Sequence, residues 1–229
     1  MDQDRPAGPG LRDRFRAQVR EETKQEALRQ LADGGPAALS LNAIAKHLGV
    51  SGPALYRYFA NRDSLLTELI IDAYHDLAAA LDEARRRPPG GLRPLVRAYR
   101  AWAVAEPHRY RLLFRAPLPG YDAHAERLVE ASRLAMRVVV DVVVEVARDF
   151  PPVLPAVRDD RLAAQLERWA RRHDLTDVPT GAGLAATALW AWLHGLVSLE
   201  IEGNFASMGL DPAPLYDADP AGVVAALTA

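Results

Sequence analysis

The 229-residue chain contains no cysteine. This absence excludes disulfides, thiol nucleophiles and thiolate metal sites, and it is compatible with a reducing cytoplasm. The chain is otherwise ordinary in composition, with 49% hydrophobic and 25% charged residues and a formal net charge of −2. Collagen-like repeats and a chain that is disordered throughout are therefore excluded. A chain of this length buries a sizeable core without covalent cross-links.

The sequence also lacks the short motifs of common catalytic and metal sites. HExxH, GxSxG, DDxxD and Gly-rich phosphate-loop strings are absent, and the six histidines are not paired at the helical spacing of metal ligands. We therefore predict a protein that is not an enzyme and that needs no cofactor or metal. A helical hydrolase or terpene-type enzyme remains an alternative, as does a helical protein-interaction module.

No secretory signal fits the start of the chain, because residues 1–10 are polar and rich in proline and glycine. We predict a disordered tail over residues 1–10 and a cytoplasmic protein. Residues 178–199 carry no charge and are long enough to cross a bilayer. They contain Pro179, Gly181 and His194, however, and no Lys or Arg anchor is nearby. We predict a helix that is buried on most sides and that does not contact a membrane.

Basic residues are concentrated in the first half of the chain. Four arginines lie close together at positions 12, 14, 16 and 20, and residues 85–115 contain nine arginines against Glu106 alone. No Lys or Arg follows Arg172, whereas seven acidic residues do. A polyanion would thus meet the first half and be repelled by the end, although the arginines of residues 85–115 could simply form solvated faces.

Apolar residues at three- and four-residue steps predict an all-α fold. In the first half we predict a long helix from Leu11 to about Asp33, two short helices whose N-caps are Ser40 and Ser51, and a fourth helix ending near Arg87. The Pro/Gly run at residues 88–91 is the predicted domain boundary. It separates an N-terminal domain that includes the fourth helix, residues 11–87, from a larger C-terminal helical bundle, residues 88–229.

In the second half, helices are predicted over residues 92–106, 108–115, 122–150, 159–173 and 181–204, and from Pro220. The valine-rich residues 138–146 have high strand propensity. Their polar neighbours Arg137, Asp141, Glu145 and Arg148 fall on one helical face, whereas a strand would place them on both sides. We therefore predict a helix there.

Two short helices joined by a tight turn, preceded by a long helix and packed on a fourth, are the arrangement of a helix-turn-helix head. Ala45 is small enough for the short helices to cross closely, Gly49 suits the turn, and Leu55 suits their shared core. A small helical bundle with an incidental short turn remains the alternative.

Residues 39–66 resemble the DNA-binding domain of the tetracycline-repressor (TetR/AcrR) family of bacterial transcriptional regulators. Gly49-Val50-Ser51, Leu55-Tyr56, Phe59 and the basic Arg62 carry the resemblance. Weaker similarity extends to WAVAEPHRY (residues 102–110), Leu113-Phe114 and WAWLHGLVSLE (residues 190–200), which are similar to a WHG-type C-terminal ligand-binding domain. The resemblance implies a homodimeric regulator, most simply a repressor released from operator DNA by a small molecule.

The same resemblance implies roles for residues of the head. Serines at both short helices would hold phosphates, an asparagine would reach a base edge or phosphate, and three small residues would form the surface that enters the groove. Tyr58 stands where the family more often has histidine, and Arg62 replaces the usual lysine. Leu41 and Phe59 are expected in the core. The predicted DNA-binding residues are Ser40, Asn42, Ser51, Gly52, Pro53, Ala54, Tyr56, Arg57, Tyr58 and Arg62.

The C-terminal half offers candidates for a ligand pocket. They are mostly aromatic and helically spaced, a pattern that also occurs in ordinary cores. His194 is either a ligand or acid/base group, or a histidine that is hydrogen-bonded in the core or at a subunit interface. The expected effector is a small apolar or aromatic molecule, and the homodimer would form through the C-terminal helices. The candidate pocket residues are Tyr99, Trp102, Tyr110, Phe114, Met136, Trp190 and His194.

Overall fold

The computed structural model describes residues 10–114, 121–122, 125–175 and 177–228. In these ranges twelve α-helices and two short 3-10 turns, Pro36–Ala38 and Pro151–Val153, are the regular elements, and no strand occurs. The predicted all-α class is confirmed. The predicted disordered tail falls outside the described residues, apart from Gly10. The helices are α1 (Leu11–Gly34), α2 (Leu41–His47), α3 (Gly52–Leu55), α4 (Arg62–Arg86), α5 (Leu92–Ala105), α6 (Pro107–Phe114), α7 (Glu126–Ala147), α8 (Asp160–Arg172), α9 (Thr180–Ile201), α10 (Asn204–Ser207), α11 (Ala213–Asp217) and α12 (Pro220–Thr228).

The Cα positions divide into two units, Met1–Ile70 with Phe114–Asp122, and Ile71–Leu113 with Ala123–Ala229. This division falls inside α4, whereas the sequence suggested a boundary at the Pro/Gly run after Arg87. The physical reason is that the second half of α4 is buried within the second unit, where Arg85 also binds Glu145 of α7.

The first unit is built on α1, whose buried side carries Val19, Ala27 and Leu31. Ile44 of α2 and Leu55 of α3 are completely buried in the same unit. Leu41 and Phe59 are buried as well, which confirms their predicted place in the core. In contrast, the first two turns of α1, residues 11–18, are exposed along their whole length.

The second unit is organised around α9, which packs on α5, α7, α8, α10 and α12. On α7 the valines 139, 140, 142 and 143 are fully buried, so the helix predicted for the valine-rich run is confirmed. Its polar residues Asp141 and Glu145 both bind Arg85 of α4. The helix is shorter than predicted: it ends at Ala147, because Pro151 and Pro152 follow and form a 3-10 turn.

By length and composition, helix α9 is long and apolar enough to cross a membrane. In its most apolar stretch of 18 residues, 39% is buried inside the chain. Of the 22 residues of α9, four are exposed and the others are buried or half-buried, which agrees with the prediction that the helix is buried on most sides. Thr187, Ala191, Gly195 and Leu199 follow at four-residue steps and are all exposed. They form an uncharged surface stripe, which we call the α9 stripe.

Two helices near the end of the chain, α10 and α11, are absent from the sequence-based prediction. They contain four and five residues, which is too short for an apolar period to be visible.

Candidate nucleic-acid interface and ligand site

The turn between α2 and α3 is held by backbone geometry. Gly49 has a φ of 67°, a left-handed value that glycine adopts at little cost. The amide of Val50 then donates to the carbonyl of Ala45 at 3.0 Å. Ala45 and Leu55 are buried on the inner sides of the two helices, so the outer side of α3 faces solvent. This is the arrangement that the sequence predicted.

Capping differs between the two short helices. The Ser40 hydroxyl accepts the Ala43 amide at 3.3 Å and so caps α2 as predicted. Ser51 was expected to cap α3 in the same way, and this is wrong. Pro53 removes one of the two amides that such a cap uses, and the Ala54 amide donates instead to the Ser51 carbonyl at 3.0 Å. The Ser51 hydroxyl forms no cap hydrogen bond and lies on an exposed residue.

The ten predicted DNA-binding residues are all at least partly accessible within their unit. Six are exposed and four are half-buried. The starts of α2 and α3 lie close together, because a Cβ added to Gly52 would be 3.6 Å from Asn42 Oδ1. A methyl group at position 52 would thus lie against the Asn42 amide. The exposed residues are Asn42, Ser51, Pro53, Tyr56, Arg57 and Arg62, and the half-buried ones are Ser40, Gly52, Ala54 and Tyr58.

Arg20 of α1 holds the turn that follows α3, residues 56–59, in place. The sequence did not indicate this role. The Arg20 guanidinium donates to the Tyr58 carbonyl and to the Glu68 carboxylate, both at 3.1 Å. It also lies over the Phe59 ring, 4.8 Å from the centroid, a favourable cation–π arrangement. These partners are 38 to 48 residues away in sequence, so no local pattern could indicate them.

A second set of hydrogen bonds joins α1 to the start of α2. The Gln30 side chain accepts the Ser40 amide at 3.0 Å and donates to Glu26 at 3.3 Å. Glu26 is buried and forms an ion pair with Arg29, whose guanidinium lies 2.9 Å from His47 Nε2. Ser40 is therefore positioned from both sides, by its own cap and by Gln30.

In the second unit, four of the predicted pocket residues lie together. The rings of Tyr99 and Trp190 meet edge-on with centroids 5.3 Å apart. Tyr110 Oη lies 2.8 Å from His194 Nδ1, and the same hydroxyl donates to the His194 carbonyl at 3.1 Å. We call Tyr99, Tyr110, Trp190 and His194 the aromatic cluster.

The other three predicted pocket residues have different surroundings. Trp102 follows Tyr99 by one helical turn on α5, and Met136 is half-buried on α7. Phe114 ends α6 and groups with the first unit. An open groove of about 650 Å³ in the second unit lies elsewhere, between α5 and α11, and is lined by Arg97, Val104 and Tyr216 among others.

Burial keeps the ionisable side chains Tyr99 and His194 of the aromatic cluster uncharged. It raises the pKa of the Tyr99 phenol and lowers the pKa of His194, so that both groups are held neutral. The Tyr110 hydroxyl lies near that of Tyr99, but no hydrogen bond of normal geometry joins them. Tyr99 Oη and Trp102 Nε1 are buried polar atoms that have no hydrogen-bond partner among the described residues. Unsatisfied buried donors are uncommon, and a bound ligand or an ordered water can supply the missing acceptor.

Sequence comparisons place both units in known families. Residues 25–69 match the family described as bacterial regulatory proteins of the tetR family. Residues 92–219 match the family described as the tetracyclin repressor-like C-terminal domain. The HTH-type transcriptional regulator Rv1816 of Mycobacterium tuberculosis (strain ATCC 25618 / H37Rv) is 35% identical over 232 residues, which cover 95% of this chain and 96% of the relative.

Solved structures agree. A crystal structure of the regulatory protein SCO4313 is 40% identical, has a TM-score of 0.78, and covers 93% of this chain and 98% of that one. A protein of unknown function from Rhodococcus sp. RHA1, at 22% identity and a TM-score of 0.66, shares the fold over 99% of this chain and its own full length. The predicted class of DNA-binding regulator, rather than enzyme, is confirmed. The chain belongs to the TetR family of bacterial transcriptional regulators.

Proposed function

We propose that the protein is a homodimeric repressor that leaves its operator when a small molecule binds the second unit. The observation that carries the proposal is the pairing of two features in one chain. The first unit has an accessible helix-turn-helix face. The second has two buried donors without a hydrogen-bond partner among the described residues, Tyr99 Oη in the aromatic cluster and Trp102 Nε1 one helical turn further along α5.

On DNA, each α3 would lie in a major groove, with the two half-sites about 34 to 36 Å apart. Tyr56 and the serines Ser40 and Ser51 would donate to phosphates, and Asn42 and Arg57 would reach base edges or phosphates. The small residues Gly52, Pro53 and Ala54 would allow close approach to the bases. Tyr58 and Arg62 would contact the flanking backbone.

The effector would bind at the aromatic cluster. Tyr99 Oη and Trp102 Nε1 are both available to donate, and an indole N–H is a donor only. We therefore expect an uncharged, mainly apolar or aromatic molecule that presents an acceptor such as a carbonyl or ether oxygen. Met136 of α7 would add an apolar contact, whereas Phe114 groups with the first unit and is not assigned to this site. An analogue without the acceptor should bind more weakly by about 1 to 3 kcal/mol, because it leaves a buried donor unpaired.

The connection from this site to α4 would run through α6. Tyr110 binds His194, and its neighbour Arg109 forms an ion pair with Asp76 of α4. A ligand that moves Tyr110 would therefore act directly on the part of α4 that belongs to the second unit. The shift in DNA occupancy requires the effector to favour the released state by several kcal/mol.

The first experiment is an unbiased selection of bound DNA fragments, followed by binding measurements with two variants. Tyr56→Phe should weaken binding to all sequences, because it removes a phosphate donor, and should leave the salt dependence nearly unchanged, because the phenol carries no charge. Arg57→Ala should cost about 1 to 3 kcal/mol at one base position if Arg57 clamps a base. Equal binding by both variants and the parent protein would contradict the assigned face.

The second experiment tests release. Once a compound has been identified by thermal-shift screening, calorimetry compares its affinity for the free and the operator-bound protein. Identical affinities would disprove the coupling, because linkage requires them to differ. Asp76→Asn should bring the two affinities closer together while leaving effector binding intact. Glu83→Gln, which removes exposed ion pairs with Arg86 of α4 and with Arg87 just beyond the end of that helix, serves as the matched control.

Three narrower assignments belong to the same proposal. We place the C-terminal unit in the WHG-type subgroup, because WAWLHGLVSLE lies on α9 and includes two residues of the aromatic cluster. Residues 11–87 would act as the DNA-binding part, with α4 shared between the units. The protein would work in the cytoplasm, where its DNA is.

A further inference from the structure

We propose that the first two turns of α1, residues 11–18, bind the phosphate backbone of DNA beside the half-site that α3 contacts. We call these residues the basic arm. The inference rests on the proposed DNA-binding face and adds a second contact surface to it.

The basic arm is a free, positively charged surface. All eight of its residues are exposed, and even Leu11 and Phe15 have 80% and 61% of their surface accessible. Arg12, Arg14 and Arg16 stand against Asp13 alone. Within the described residues, none of the three arginines forms an ion pair or a side-chain hydrogen bond. A charged surface with this excess of arginine is complementary to DNA phosphates.

The direction of the basic arm follows from Arg20. Residues 12, 16 and 20 are four apart, so they lie on one side of the helix. Arg20 is anchored on the Tyr58 carbonyl and on Glu68. That side of α1 therefore faces the turn that follows α3. This turn carries Arg57 and Tyr58 of the proposed DNA-binding face.

The helix continues past the body of its unit. With a rise of about 1.5 Å per residue, Arg16 lies about 6 Å and Arg12 about 12 Å further along the axis than Arg20. Val19 is the first buried residue of α1, so the core ends before the basic arm begins. Short helices without tertiary contacts are only marginally stable in water. A DNA backbone flanking the α3 contacts would give these two turns a binding partner.

The test compares full-length protein with the double variant Arg12→Gln/Arg16→Gln on a mixed-sequence duplex of DNA. Glutamine has a helix propensity close to that of arginine, so α1 is retained and circular dichroism checks this. Fluorescence anisotropy at several salt concentrations gives the slope of log K against log salt. Each lost phosphate contact lowers that slope by about 0.9, so we expect a decrease of about 1.8 for each bound head.

Two further variants make the test specific. Arg161→Gln/Arg168→Gln removes the same charge from exposed positions of α8 and should leave the slope nearly unchanged. Arg12→Lys/Arg16→Lys keeps the charge and should restore most of the slope. Both results would support a local contact over a general effect of net charge.

The failures of the two proposals are distinguishable. An unchanged slope for Arg12→Gln/Arg16→Gln, with weakened binding for Tyr56→Phe, would overturn the basic arm and retain the α3 face. An unchanged slope for Arg12→Gln/Arg16→Gln, together with parent-like binding by Tyr56→Phe, would overturn both. A loss of binding to anionic lipid vesicles without any change on DNA would also overturn the proposal, in favour of a membrane surface as the partner.

Discussion

Replacing Gly195 by leucine should dissociate the homodimer that we expect from the α9 stripe. Gly195 lies in the interior of a 22-residue helix and is exposed, and a Cβ there would meet no described residue of its own chain within 4 Å. Glycine in a helix interior costs about 0.8 to 1.0 kcal/mol relative to alanine. Since no contact among the described residues requires glycine at this position, we explain it by close packing against a second copy.

Gly195→Leu should stabilise the monomer and destabilise the dimer, so the two effects can be distinguished by experiment. In the monomer, leucine should stabilise α9 by somewhat less than 1 kcal/mol through helix propensity. In a two-fold symmetric interface the same residue is used by both copies. Overpacking costs about 1 to 3 kcal/mol at each site, hence about 2 to 6 kcal/mol for the dimer. The dimer dissociation constant should rise by at least about 30-fold.

Light scattering and sedimentation at micromolar concentration measure this directly. The parent protein should have a mass of about 50 kDa, twice the 25.1 kDa of one chain, and Gly195→Leu should shift toward a monomer. Ala79→Leu is the control, because it adds a leucine at an exposed position within α4, away from the α9 stripe. A monomeric parent protein, or a Gly195→Leu variant that dimerises as tightly as the parent, would refute the reasoning.

Three other expectations follow from single residues. Gly49→Ala should lower the free energy of unfolding by about 1 to 2 kcal/mol, because it forces a left-handed φ on alanine, and Gly49→Asn should lower it less; urea titration measures both. Burial lowers the pKa of His194, so stability should be fully present above pH 6.5 and decrease as the pH falls through the folded-state pKa; His194→Asn should flatten this pH dependence of the unfolding free energy. Gly181→Ala should lower the melting temperature, because its Cβ would overlap the backbone carbonyl of Pro155, which cannot move aside as a flexible side chain can.

The helices could be predicted from the sequence because each leaves a local signal. On α7, the strand propensity of the valines competes with the helical spacing of Asp141 and Glu145, and the spacing is decisive. In the structure both acids bind Arg85, so the polar period marks a real helix–helix contact. The ends of α7 were harder to predict, because the proline run shows that the helix stops but not at which residue.

The candidate site was predicted only where a motif is local. The turn at Gly49 and the accessible residues around it occupy one short stretch of sequence. Arg20 and the Tyr110–His194 pair join residues 38 to 84 positions apart. No period or spacing reports such pairs, because they depend on how whole helices pack. The same limit applies to α9, where an apolar sequence does not distinguish burial in its own chain from burial against a second copy.

The polar atoms of the second unit argue for a ligand more strongly than its aromatic residues do. A row of helically spaced aromatic side chains is equally well explained by an ordinary core. A buried donor without a partner costs about 1 to 3 kcal/mol, which is a large fraction of the roughly 5 to 15 kcal/mol that stabilises a folded protein. Tyr99 and Trp102 carry two such donors one helical turn apart on α5. Phenylalanine at both positions would remove this cost. The presence of Tyr99 Oη and Trp102 Nε1 is therefore best explained by an acceptor that binds there, which is either an effector atom or a water molecule that the effector displaces.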